Sequence, residues 1–321
     1  MTPRRLRQFL ALIEHAHFGR AAKALGVSQP ALSKSLQLLE RELGVILFHR
    51  GREGIRLTAF GVLLREKSQR LLMAEEDLRR DLALLAQGGS GSLKVALGPY
   101  PSITIGFASL ARLHACHPHI KITAHVAGWA EVAQQVAAGE VDLGIAEISH
   151  LRGREEFACE LLGEHAGRLF CRPGHPLLAQ CLSLSLAQTL DYPWVASRIP
   201  LRLATHLLPV NMGCTGVFDA ENGDFVPAIE VNVPMQMMAF VENSNALALG
   251  CLSIFERELM AGDIVALPLQ DPVLRTHYGF IHLKERSLPP AVHLYMQEVR
   301  AMEDHIGQRE RQLVNLMDLE Q

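Results

Sequence analysis

Residues 18–44 read FGRAAKALGVSQPALSKSLQLLERELG, and this stretch decides the fold of the amino-terminal part of the chain. Ala21, Ala22 and Leu25 share one face of a short helix predicted over residues 18–25. Gly26 can take the positive φ that ends it. Ser28 is a good N-cap for the next helix, and Pro30 fits its first turn, where a missing N–H has no partner to lose. That helix should run to about residue 43, with Leu32, Leu36, Leu39 and Leu43 inward and Gln29, Ser33, Lys34 and Gln37 outward, and Gly44 stops it. Upstream, Leu6, Phe9, Leu10 and Ile13 recur at helical spacing and predict an amphipathic first helix. Two short helices joined by a tight turn, the second polar at its start, form a helix-turn-helix. Such a helix fits the major groove, its first side chains reaching base edges and its N–H groups facing phosphate. Gln29 can pair with adenine, and Pro30, Ser33 and Lys34 complete the groove-facing start. Downstream, residues 47–50 and 55–57 flank Gly51-Arg52-Glu53-Gly54 as a β-hairpin wing, with Arg50, Arg52 and Arg56 placed for phosphate.

Three-helix fragments with surface arginines occur in many folds, and charge is what favours nucleic acid here. The chain has 321 residues and a net charge of −3. Residues 1–60 hold ten Lys or Arg and four Glu, net +6, so the remainder is net −9. A small basic head on an acidic body places the polyanion at the head. With 49% apolar residues and a length of about two domains, collagen-like, disordered and disulfide-scaffold classes are excluded. No apolar run approaches the roughly 18 residues of a membrane span. The run from Phe9 to Ile13 stops at Glu14, short of a signal-peptide core. The six cysteines show no CxxC pairing and read as reduced thiols of a cytoplasmic protein.

Thr58 can cap a long helix reaching about residue 87, roughly 45 Å at 1.5 Å per residue. Leu64, Leu71, Leu78 and Leu85 repeat every seven residues on it, opposite a charged face. Such a seam calls for a partner helix, hence dimerisation, with a helix folded back on its own domain as the alternative. Gly88-Gly89-Ser90-Gly91-Ser92 follows as a flexible linker. Beyond it, strands at 93–97, 120–126 and 141–146 alternate with helices at 101–116 and 130–138, which implies a parallel sheet with crossover helices. The pattern restarts after residue 160, with short strands at 167–171, 194–197 and 246–250, helices at 234–241 and 255–261, a strand at 276–283 and a closing helix at 291–306.

Ligands of open α/β sheets bind beyond the carboxyl ends of strands. That rule selects Tyr100, Ser102 and Thr104, then Trp129 and Glu147, and on the second half Ser197, Arg198, Asn243 and Ser244, each of which could instead be a cap or turn residue. Trp129 could stack a planar ligand or pack the seam. Arg198 suits a carboxylate; Glu147 suits an amine or hydroxyl. His114, Cys116, His117 and His119 look like metal ligands but fall at a helix-to-strand turn, so no metal and no cofactor is expected. Gly89-Ser90-Gly91 sits in a polar linker rather than a strand-to-helix elbow, so it is no nucleophile site, and no enzyme is expected.

The segments 18–25, 27–34, 38–44 and 47–50, with Leu57-Thr58-Ala59-Phe60-Gly61, resemble the DNA-binding head and wing-to-linker junction of LysR-type transcriptional regulators. Cys171-Arg172-Pro173-Gly174-His175-Pro176-Leu177, Phe240-Val241-Glu242 and residues 246–250 resemble segments of that family's body, although the family has Gly near Asn243 and Asn245. The resemblance implies a multidomain architecture. It comprises an N-terminal all-α winged helix-turn-helix (1–60), a dimerising linker helix and hinge (61–92), and a C-terminal α/β two-lobed, periplasmic-binding-protein-like type 2 domain (93–321). Lobe I would hold 93–161 and 268–321, and lobe II 162–267. It further implies double-stranded promoter DNA and a small-molecule effector as partners and effector contacts at the positions selected above. A homotetramer built from two dimers, DNA bending and RNA polymerase as a candidate contact belong to the same set. The other reading is a metabolite-sensing protein whose helical head docks a protein partner. Residues 300–321 extend past the resemblance as a solvated helix, or as an oligomer contact through Leu313, Leu316 and Leu319.

Overall fold

The computed structural model describes residues 1–51, 54–86, 91–180, 184–204, 214–269 and 274–319. The chain forms two compact units, Met1–Gly89 and Ser90–Gln321.

The first unit begins with α1 (Pro3–His15), α2 (Phe18–Ala24) and α3 (Gln29–Leu43). Ser28 Oγ accepts the Ala31 N–H at 3.4 Å, and Gly44 closes α3 at φ 71°. The cap of α2 escaped the sequence reading: His17 Nδ1 accepts from Gly19 N at 3.0 Å and Arg20 N at 3.3 Å. Phe9, Leu12, Leu32, Leu36 and Leu39 form the core with Ala21, Ala22, Leu47 and Phe48. Leu12 is fully buried while Leu43, expected inward, is exposed, because it stands at the last residue before the Gly44 cap. Strands β1 (Phe48–Gly51) and β2 (Gly54–Leu57) pair antiparallel from Phe48↔Leu57 to Gly51↔Gly54 as the wing. Arg52 lies outside the described residues. Thr58 Oγ1 accepts the Gly61 N–H at 3.1 Å and starts α4 (Ala59–Ala86). That helix is held to α1 by Arg7 and Glu75, 2.8 Å apart.

The second unit opens with β3 (Ser92–Leu97), then α5 (Pro99–Pro101), a π turn and α6 (Phe107–Cys116), β4 (Lys121–Val126), α7 (Trp129–Ala138) and β5 (Leu143–Glu147). β3 pairs parallel with both β4 and β5. One 15-residue strand, β6 (Phe157–Cys171), follows where the sequence suggested only its last five residues. Then come α8 (Leu186–Thr189), β7 (Trp194–Ala196), α9 (Leu201–Ala204), β8 (Gly216–Phe218), β9 (Phe225–Pro227) and β10 (Ile229–Glu230). The chain continues through α10 (Met238–Asn243), β11 (Leu247–Gly250), α11 (Glu256–Ala261), β12 (Val265–Ala266), β13 (Leu274–Leu283) and α12 (Pro290–Leu319).

β6 belongs to both lobes. Its residues 157–167 pair with β13, which pairs in turn with β5. Its residues 168–171 pair with β11 and β12, and the parallel strands β11, β7 and β10 complete the second sheet. The core of lobe I is built from Val95, Leu97, Ile145 and Phe280 with Tyr295 and Val299 of α12. Lobe II has cores on both faces of its sheet, around Trp194 and Phe225 and around Phe170 and Phe255.

α12 corrects one expectation. The tail continues it as a helix to Leu319, but Leu313 is buried, with the half-buried Val314, against the core of lobe II rather than lobe I. Leu313 is therefore withdrawn from the suggested oligomer contact; Leu316 is exposed, and the side chain of Leu319 is outside the described set. No described helix is long and apolar enough to cross a membrane.

Candidate functional site

In the head, Gln29, Pro30 and Lys34 are exposed and Ser33 half-buried, all on the first turns of α3. Arg20, Lys23 and Arg56 are also exposed. Arg50 lies on β1, but its side chain falls outside the described set. Glu40 Oε1 accepts the Leu47 N–H at 2.8 Å, which fixes where α3 hands over to the wing. The unit thus exposes the first turns of a helix that carries Lys34 and a β-ribbon that carries Arg56.

The heptad on α4 divides. Leu64 is half-buried against the head core, whereas Leu71 and Leu78 are 46% and 59% exposed. Leu85 lies in the helix with its side chain outside the described set. Phe60, Leu63 and Leu82 are exposed too. At 100° per residue, Phe60, Leu63, Leu71, Leu78 and Leu82 occupy a sector of about 100°. The exposed stripe is broader than the single heptad row; Leu64 points into the same sector as Leu82 but is covered by the head.

Between the two lobes of the second unit lies a cleft of about 560 Å³, part of it open to solvent. Tyr100, Trp129 and Glu147 line it from lobe I, and Ser197 and Arg198 from lobe II. Two hydrogen bonds cross it: Tyr100 Oη donates to Leu249 O at 2.8 Å, and Trp129 Nε1 donates to Arg198 O at 3.2 Å. The other four expected contacts are not brought there. Ser102 and Thr104 are buried with their hydroxyls turned to Pro99 O and Tyr100 O. Asn243 and Ser244 are exposed and bond back to Ala239 O and Phe240 O of their own helix. These two stand at the amino end of β11; its carboxyl end, Gly250 and Cys251, is what reaches the cleft. Thr276 and Tyr278 of β13 also line it. A rule that looks beyond strand ends misses residues that lie along a strand, as these two do.

Under the cleft, the buried His165 ring stacks 5.0 Å from Tyr278. Its Nε2 lies 2.9 Å from Glu303 and its Nδ1 3.0 Å from Glu310. Burial alone would depress its pKa, but these two carboxylates override that and hold it pushed up to about 9. His165, Cys251 and Glu310 bring donor atoms within 4.8 Å of one another. Burial, however, pushes the Cys251 thiol up and keeps it protonated, and both ring nitrogens face carboxylates, so the arrangement is an imidazolium clamped by two anions. His114, Cys116, His117 and His119 are all exposed at the end of α6 and in the turn after it.

Two family descriptions match the chain: "Bacterial regulatory helix-turn-helix protein, lysR family" over residues 3–62, and "LysR substrate binding domain" over residues 86–303. An SDS degradation transcriptional activation protein from a Pseudomonas strain is 35% identical over 291 residues, 90% of this chain and 92% of that protein. Among solved structures, a full-length OxyR variant from Pseudomonas aeruginosa superposes with TM-score 0.60 at 21% identity, covering 94% of this chain and 95% of that one. Full-length CbnR in complex with its target DNA gives 0.55 at 21% identity, over 94% and 100%.

Proposed function

This chain belongs to the LysR family of DNA-binding transcriptional regulators, and from that premise we propose which of its residues carry the activity and how. Gln29, Pro30, Ser33 and Lys34 read the major groove, and Arg50, Arg52 and Arg56 of the wing hold phosphate. The bare apolar stripe of α4 pairs two chains so that two heads meet two half-sites, and two such dimers make a tetramer. A small effector enters the cleft between the lobes and, by changing their closure, alters how the heads sit on or bend promoter DNA, with RNA polymerase as the machinery affected. The similarity to an activator of SDS degradation supports target genes for breaking down an organic compound.

The observation that carries the reading is the exposed start of α3, with Gln29 and Lys34, together with the exposed Arg56 of the wing. A mobility shift on the DNA upstream of the gene, run across a salt series, tests it. Affinity is expected to fall steeply with salt as phosphate contacts release counterions. Binding that stays flat between low and moderate salt removes the DNA-contact assignment and favours a protein partner for the head.

A further inference from the structure

Most polar groups of the cleft are already spent; the Tyr278 hydroxyl, which meets the Cys251 sulfur at 3.9 Å, is the exception. Three side chains that line it give their only proton to backbone carbonyls: Tyr100 Oη to Leu249 O, Ser197 Oγ to Val231 O at 3.1 Å and Thr276 Oγ1 to His165 O at 3.4 Å. Trp129 Nε1 is committed to Arg198 O. A hydroxyl that has donated still accepts, whereas an indole N–H offers nothing more. The cleft therefore presents acceptors and few donors.

The backbone of α5 and of the wall opposite it adds little to the donor side. Of the helices that begin at the cleft, α5 starts Pro99-Tyr100-Pro101, so two of its three residues have no N–H, while α7 starts at Trp129 with its first-turn N–H groups intact. Pro200 on the opposite wall has none either. The Gly98 N–H is taken by Ile145 O at 2.7 Å and the Ile199 N–H by Phe225 O at 2.9 Å. The anion site that a helix start ordinarily supplies is missing from α5.

Charge points the same way. Arg198 pairs with Asp219 at 3.0 Å and with Glu230 at 3.6 Å, so its single positive charge faces two carboxylates. Glu147, itself buried, accepts from Ser149 N at 3.0 Å and Ser149 Oγ at 2.7 Å. An anion would meet Glu147 in the wall, with His150 3.9 Å behind it, and a guanidinium already compensated by Asp219 and Glu230. An ammonium group would have to draw Glu147 off its two donors. The remaining wall is apolar, with Pro99, Ile199, Leu203 and Leu249 prominent.

We infer that the effector of this cleft is an uncharged, mostly apolar molecule carrying a hydrogen-bond donor, of the alcohol or phenol class, and not an organic anion. This rests on the proposal that the cleft is the effector site.

The full-length protein can be titrated with two matched sets, 1-octanol, octanoate and octylamine, and 2-phenylethanol, phenylacetate and 2-phenylethylamine. Tryptophan fluorescence reports the cleft through Trp129, and Trp129→Phe identifies that signal against buried Trp194. In at least one set the alcohol is expected to bind at least tenfold more tightly than its anion and amine and to change the Trp129 signal. An anion or amine that binds as tightly as the alcohol, with the Trp129 response, overturns the class and leaves the cleft as the site. An alcohol that raises the melting temperature without touching Trp129, and equally in a folded Leu203→Phe variant, overturns the cleft itself. Silence from all six overturns the inferred class as well.

Discussion

Gly61 sits where the wing meets the long helix, and its lack of a side chain is required there. A Cβ at this position would collide with Leu47 O and stand 2.7 Å from Leu57 Cδ2. Leu47 O already accepts the Thr58 N–H at 3.0 Å, so the carbonyl cannot retreat without loosening the start of α4. Gly61→Ala is expected to destabilise the head by about 2 kcal/mol, the usual scale of overpacking, and thermal melts followed by circular dichroism measure it. An unchanged melting temperature would show that the junction is softer than this geometry implies. Gln29 is the opposite case, exposed and with nothing to hold up. Gln29→Ala is expected to leave stability alone and to flatten base preference at one position of each half-site, by the roughly 1–3 kcal/mol of a good side-chain–base pair. Binding-site selection that still returns the wild-type preference refutes its place in the groove.

Elements were legible where one local pattern decides them. Ser28 with Pro30 set the start of α3, and Gly26 and Gly44 set two helix ends, all from neighbours in sequence. Leu64 has the same spacing on α4 as Leu71, and only the folded head shows which of the two it covers. The cleft followed the same division. Tyr100, Trp129, Glu147, Ser197 and Arg198 follow strand ends and line the cleft, whereas Thr276 and Tyr278 become visible only through the pairing of β13 with β6. Asn243 and Ser244 precede β11, whose carboxyl end is the one at the cleft. The α4 stripe carries its own test. Leu71→Glu and Leu78→Glu together place two charges in a surface that has no other cover among the described residues of its unit. Sedimentation is expected to show at least tenfold weaker self-association with the helix content kept. An unaltered oligomer would move the dimer contact off this stripe.

The whole body depends on one non-local arrangement that the sequence hides. Glu303 and Glu310 looked like solvated charges of a tail, yet both close on His165, some 140 residues earlier and fully enclosed. Arg309 pairs with Glu256 at 2.7 Å, Ser253 donates to Glu310, and Leu313 enters the core of lobe II. The first half of α12 meanwhile packs in lobe I. Besides β6, a second rod therefore spans the lobes. A chain ending at Ile306 loses the contacts to lobe II. Its body should lose about 2–5 kcal/mol, the scale of emptying one buried leucine site, and hydrogen exchange should quicken along residues 165–171. The clamp also fixes a pH window. His165 is raised from 6.5 to about 9, so its contribution is complete below about pH 6.5 and fades as pH rises through 9. Glu310 is held below 4.5, since its bonds to His165 and Ser253 outweigh burial, so its contribution is present above pH 4.5 and fades as acid protonates it. Cys251 and Tyr278, the other titratable groups against the ring, are both raised by burial and stay neutral across that window. The melting-temperature gap between wild type and Glu310→Gln should thus be widest near pH 6 and narrow above about pH 9. A gap that stays constant from pH 6 to pH 10 would mean that His165 is not the cation holding the two lobes to this helix.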